Sequence, residues 1–163
     1  MCISFYLCSN ATGAEGAWYI SEALRANTVL THLYIANNDI RDEGAWYLCE
    51  SLTGGTAAGG GAAASAAPGT VRSAVTTLYM GGNSIRNEGA NHIAALLRSP
   101  NSSVTTIDVQ TNKIGNRGAV AIASAMPLTV TVYLGGNRVS QEQRDLLLAR
   151  MKTNVGSEEN LHL

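Results

Sequence analysis

A strand-plus-helix unit that returns along almost the whole chain limits what this sequence can fold into more than any other feature. Its clearest copy runs from Leu30 to Leu52, LTHLYIANNDIRDEGAWYLCESL. The first half spaces Leu30, Leu33, Ile35, Asn38 and Ile40 as L-x-x-L-x-L-x-x-N-x-I, with the apolar alternation of a short strand. In the second half Ala45, Leu48 and Leu52 fall at i, i+3 and i+7, on one face of a helix. Asp42 and Glu43 sit in its first turn, where the helix dipole favours negative charge.

Aligning on the asparagine finds the copies. Asn10, Asn38, Asn83, Asn112 and Asn137 each follow an apolar-x-apolar pair: Phe5 and Leu7, Leu33 and Ile35, Leu78 and Met80, Ile107 and Val109, Val132 and Leu134. The asparagines lie 28, 45, 29 and 25 residues apart, and taking out the 17 residues from Gly54 to Thr70 brings the long interval back to 28. The helical halves agree, because Gly16-Ala17, Gly44-Ala45, Gly89-Ala90 and Gly118-Ala119 each stand six and seven places after their asparagine.

This unit, with its N-x-I-x-x-E-G-A core, resembles the ribonuclease-inhibitor-like class of leucine-rich repeats. The resemblance covers nearly the whole chain apart from the insert and the last few residues. It implies a right-handed α/β solenoid of about five strand-helix units, with a parallel sheet on the concave face and helices on the convex face. On that basis residues 1–154 form the repeat domain, residues 53–71 a flexible Gly/Ala-rich insert, and residues 155–163 a C-terminal tail. It does not imply inhibition of ribonuclease, since function resides in the site and not in the fold.

Composition narrows the function. A formal net charge of −1 provides no basic field, which argues against nucleic acid or an anionic membrane surface as a partner. Cys2, Cys8 and Cys49 are odd in number and form no C-x-x-C pair, against a disulfide framework or a zinc site. Cys2 takes the inward position that Leu30 holds in the next unit, so the register predicts a buried thiol. The apolar run from Ile3 to Cys8 is too short to span a bilayer and lacks the basic flank of a signal peptide. The expectation is a cytoplasmic protein without membrane insertion, with the cytoskeleton or the cilium as candidate settings. His32, His92 and His162 fall on a strand, a helix and the tail, so no metal-ligand spacing arises. No nucleophile-base pair or phosphate-cradling loop is present, and the glycines at 81–82 and 135–136 precede ladder asparagines, where a turn accounts for them. Neither catalysis nor a cofactor is expected.

Along the chain, unit one is strand almost from its first residue, which predicts an open edge able to pair with another polypeptide. Its helix, about Ala14 to Ala26, turns Ala17, Ile20 and Leu24 inward. Trp18-Tyr19 recurs as Trp46-Tyr47, and the pair either packs between helices or forms an aromatic patch for a protein contact. The uncharged Gly54–Thr70 run cannot offset its ordering entropy by burial, and deleting it would leave the register intact. Units three and four place Ile93, Leu96, Leu97, Ile122 and Met126 on their helix faces, and Pro100 and Pro127 close those helices. In unit five Ser140-x-x-Gln143 reads as a capping box on a charged helix expected to cap the solenoid. The tail's His162 is read as a solvated side chain.

Residues between the inward pair point away from the core because side chains alternate along a strand. That position reads Tyr6, Tyr34, Tyr79, Asp108, Tyr133, one row at about 4.8 Å per strand. Ser4, His32, Thr77, Thr106 and Thr131 flank it on one side, and Cys8, Ala36, Gly81, Gln110 and Gly135 on the other. Same-face aromatics steady a sheet, yet tyrosine is also a favoured interface anchor. The candidate protein-binding residues are therefore Tyr6, Tyr34, Tyr79, Asp108 and Tyr133, with His32 and Gln110 beside them and Trp18 and Trp46 on the helices. The expectation is a non-catalytic interaction module, a scaffold subunit of a multi-subunit assembly, binding proteins through the tyrosine row and the open N-terminal edge. The alternative is a regulator of a GTPase or ubiquitin enzyme, for which Arg41, Arg86 and Arg138 line one rim.

Overall fold

In the computed structural model, which describes residues 2–53, 73–153 and 160–163, strands and helices alternate as the repeat requires. The strands are β1 (Ser4–Tyr6), β2 (His32–Tyr34), β3 (Thr77–Tyr79), β4 (Thr106–Asp108), β5 (Thr131–Tyr133) and β6 (Leu161–His162). Between them run α1 (Gly13–Arg25), α2 (Arg41–Thr53), α3 (Asn87–Arg98), α4 (Asn116–Ala125) and α5 (Gln141–Thr153). The sheet is parallel throughout and ordered β1 to β6. Crossovers of one hand that always step in one direction put every helix on the same side. The opposite face of the sheet stays open.

The inward pair fills the slab between sheet and helices. Leu33, Leu78, Ile107 and Val132 are each 0 % exposed, as are Ala17, Ala45, Ala90 and Ala119 of the Gly-Ala pairs. The glycine before each alanine is set by close approach. A Cβ on Gly118 would come within 2.8 Å of both the Ala90 Cβ and the Asn87 Oδ1.

The asparagines form the expected ladder. Asn83 accepts from the Asn38 amide at 2.8 Å through Oδ1, and its Nδ2 donates to the carbonyls of Ile35 and Met80 at 2.9 and 3.0 Å. Asn38 and Asn112 repeat this pattern, and Asn137 repeats it except that its Oδ1 accepts from the Ile114 amide. Asn10 differs, as its side-chain amide bonds only carbonyls of its own turn, Leu7 and Cys8. The residue before each ladder asparagine is left-handed in all five units, at Ser9, Asn37, Gly82, Thr111 and Gly136, so the glycine turns are one form of a shared bend.

A second ladder, unseen in the sequence, joins the helix starts. Asp42 Oδ1 accepts from the amides of Arg86 and Gly89 at 2.7 and 2.8 Å. Asn87 Oδ1 accepts from Gly115 and Gly118 at 2.8 and 3.1 Å, and Asn116 Oδ1 from Ser140 at 2.8 Å. Each is a side chain of one unit satisfying amides at the N-terminus of the next unit's helix.

Four expectations change. Cys2 is exposed, not buried, because β1 is the outer strand of the described sheet; its thiol lies 3.2 Å from His32 Nδ1. Thr53, assigned to the insert, ends α2 and donates its hydroxyl to the Glu50 carbonyl; the rest of the expected flexible insert lies outside the described residues. The capping box is half present. The Gln143 amide donates to Ser140 Oγ at 3.3 Å, but the Ser140 amide is held by Asn116 of the preceding unit. The fourth change concerns the last residues. Those at 155–159 lie outside the described residues, whereas Leu161 and His162 are not tail but pair with Val132 and Tyr133 as β6, and Leu161 is 3 % exposed. Helix α5 is thus followed by a further strand.

Candidate functional site

Three-residue strands with an inward middle residue turn the first and third outward. The third position forms a column across the open face, with Tyr6 paired to Tyr34, Tyr34 to Tyr79, Tyr79 to Asp108, Asp108 to Tyr133 and Tyr133 to His162. The rings of Tyr6 and Tyr34 stack at 4.4 Å and 13°, and those of Tyr34 and Tyr79 at 4.5 Å and 8°. Tyr133 and His162 stack at 4.4 Å and 9°. These spacings fall below the usual separation of about 4.7–4.9 Å between strands, as expected for side chains on the inside of a curved sheet.

Tyr34 lies between two phenols, and its pKa is raised above that of an ordinary tyrosine, first by desolvation and then by Tyr6 and Tyr79. Tyr6 is 67 % exposed, and Tyr34, Tyr79, Asp108 and Tyr133 are half-buried along the row. Asp108 Oδ1 accepts from the Gln110 amide at 2.8 Å. Gln110 is exposed, and its Nε2 reaches over Gly135. His32 stacks toward Tyr34 at 6.4 Å, and its Nδ1 lies near the Thr31 hydroxyl as well as the Cys2 thiol.

The structure therefore gathers Tyr6, Tyr34, Tyr79, Asp108, Tyr133, His32 and Gln110 on one face. Trp18 and Trp46 stand apart from them, half-buried on helices across the sheet. Trp18 packs edge-on against Tyr19 at 4.7 Å, and Trp46 lies 5.0 Å from Tyr47 and 6.2 Å from His92. His162 is the member of the row that the sequence reading missed. A signal existed: Leu161-x-Leu163 follows Val132-x-Leu134 by 29 residues, another step of the repeat.

The loops at one rim enclose a cavity of about 430 Å³ lined by Asp39, Arg41, Asp42, Ser84, Arg86 and Lys113. Arg138 is not in its lining. Arg41 donates to Asp39 Oδ2 through Nη2 at 2.6 Å and through Nε at 2.9 Å, and that bond holds the Asp39 carboxyl below the usual carboxylate range. Asp42 is engaged in capping α3, so the rim presents mixed charge. Among the described residues no group of three His, Cys, Asp or Glu is placed to hold a metal ion, and no helix is long and apolar enough to cross a membrane.

The chain carries leucine-rich repeats. A family model described as "Leucine Rich repeat" matches residues 26–49 and 101–123, and the strand-helix solenoid extends that pattern over the units between and around them. Among solved structures the chain is similar to one described as "Leiomodin-1 Actin-Binding Site 2 (ABS2)", with a TM-score of 0.66 and 18% identity over 96% of this chain and 79% of that one. At that identity the likeness is one of fold. No curated protein sequence matches the chain.

Proposed function

We propose that this chain is a non-catalytic protein-interaction module, a scaffold subunit of a larger intracellular assembly, that takes its partner on the open sheet face. The observation that carries the reading is the stacked column Tyr6, Tyr34, Tyr79. Parallel sheets are usually covered on both faces; here helices cover only one, and the other presents phenols. Cross-strand stacking is worth about 0.2–1 kcal/mol per pair, a modest gain for leaving large rings in water. Tyrosine, rigid and amphipathic, is among the residues that dominate binding energy at interfaces. The contact extends to β1, where Phe5 is 46 % exposed although its counterpart Leu33 is 0 % exposed.

Because a protein of similar fold is named for actin binding, actin is the first partner to try, and it would place the chain on the cytoskeleton. Cosedimentation of the full chain with actin filaments that is lost in the double variant Tyr34→Ala, Tyr79→Ala, with the melting temperature held within a few degrees, supports this reading. A photo-crosslinking residue at position 79 extends the test to other partners in cells. Capture that survives loss of both rings, or a silent crosslinker at position 79, overturns it.

The rim cavity favours a second reading, a regulator of a GTPase or ubiquitin enzyme acting through the exposed Arg86 and Lys113. A rate of GTP turnover or ubiquitin transfer that responds to the chain but not to its Arg86→Ala variant would select it.

A further inference from the structure

The aromatic column is interrupted once, and the interruption has a shape and a charge. Tyr79 rests one ring face on Tyr34, so its other face looks along the row toward β4. Tyr133 rests one face on His162 and turns the other back toward β4. Between them stands Asp108, whose short side chain cannot fill the place of a ring. Two strand steps separate the rings, a gap of about 9–10 Å. One further planar group would fit there, at the close stacking distance that the column itself keeps.

Asp108 forms the floor of this slot. Its Oδ1 is bound by the Gln110 amide, and its Oδ2 has no hydrogen-bond partner among the described residues. Gly81 and Gly135 sit beside it in the neighbouring row and add no side chain to block the approach, while the Gln110 side chain leans over Gly135. A planar side-chain cation that stays charged at neutral pH, stacks on two aromatic faces and donates through its edge to a carboxylate is a guanidinium, since an imidazolium loses its charge at about pH 6.5. An ammonium is neither planar nor weakly hydrated, so it would use the charge but not the rings.

We propose that the Tyr79–Asp108–Tyr133 slot is a recognition site for one arginine side chain of the partner protein, sandwiched between the two phenol rings and paired through its N–H edge with Asp108. This deepens the interaction-module reading and rests on it. Tyr6 and Tyr34 then extend the contact along the partner's own chain, and the slot sets its register.

The test uses the full chain with labelled tyrosine rings and three short glycine-serine peptides that carry a central arginine, lysine or citrulline. The arginine peptide is expected to shift the ring resonances of Tyr79 and Tyr133 more than those of Tyr6, and to bind at least tenfold tighter than the other two. Asp108→Asn should weaken it at least tenfold. Asp108→Tyr should fill the slot, abolish binding and leave the melting temperature unlowered, because the stacked column then runs unbroken. Equal binding of the lysine or citrulline peptide, or arginine binding that ignores Asp108→Asn, overturns the proposal. In that event partner capture that still depends on Tyr34 and Tyr79 leaves the interaction-module reading standing, so the two failures are distinct.

Discussion

Two columns of side chains run through this molecule with one residue per repeat, and they differ in what their bonding groups are left to do. The asparagine column is inside. Asn83 is 0 % exposed, with its oxygen and amide hydrogens directed at backbone groups of its own unit and the one before. The tyrosine column is outside, its rings stacked on one another or on a histidine and open on the free face of the sheet. Repetition is therefore no guide to function in itself. A repeated residue whose capacity is exhausted within the fold is structural, and one with capacity to spare is a candidate for a partner.

Substitutions can break or sharpen that contrast. Asn83→Ala should be the most damaging, since it orphans the buried backbone amides of Asn38 and Ile40 at about 1–3 kcal/mol each; urea denaturation should show a loss of about 3 kcal/mol or more. Asp42→Ala tests the helix-start ladder and should cost about 1 kcal/mol, the usual value of an N-cap, with faster amide exchange at Arg86 and Gly89. Tyr34→Ala removes two stacking contacts and should cost about 0.4–2 kcal/mol at about 0.2–1 per pair, yet weaken partner capture at least tenfold. If Tyr34→Ala destabilised the chain as much as Asn83→Ala, the outer column would be structural after all.

The smallest effect concerns pH. The folded state raises the pKa of Tyr34, so its contribution to stability is fully present below the ordinary tyrosine value of about 10 and is lost as pH rises through the folded value. Tyr47 is also raised, first by its hydrogen bond to Glu43, so spectrophotometric titration of a Tyr47→Phe chain should show one phenol ionising after the others, and adding Tyr6→Phe should bring it earlier. No late phenol in the Tyr47→Phe chain would mean that the column is not stacked in solution.

Much of this was legible in advance because a period fixes many positions at once. Leu33 and Ile35 specify a strand, Asn38 a turn and Ala45 a helix face, and each is checked by its copies. The outward tyrosines followed from the strand alternation alone. The misreadings fall where periodicity stops informing. Cys2 occupies an inward register position, but burial requires a neighbouring repeat as well as a register. Leu161 was hidden because its copy retains only the apolar pair, without the asparagine that located the others. Asp42, Asn87 and Asn116 were invisible as caps because their acceptors serve amides about 25 to 45 residues ahead, and a carboxylate in a helix's first turn already has a local explanation.

Those three caps all point forward along the chain. Asp42 secures the start of α3, Asn87 that of α4 and Asn116 that of α5. The asparagine ladder points the other way, since Asn83 holds the turn of the unit before it and Asn112 in turn holds the amide of Asn83. A polypeptide leaves the ribosome from its N-terminus, and domains tend to form in that order. Each new helix of this protein would therefore emerge to find its first-turn acceptor already in place, while each turn stays unfinished until the next unit arrives to close it. Every unit is thus both host to its successor and debtor to it. A repeat that melts should leave two different scars, an uncapped helix downstream and an open turn upstream, so the direction of fraying would be readable from which amides are lost first.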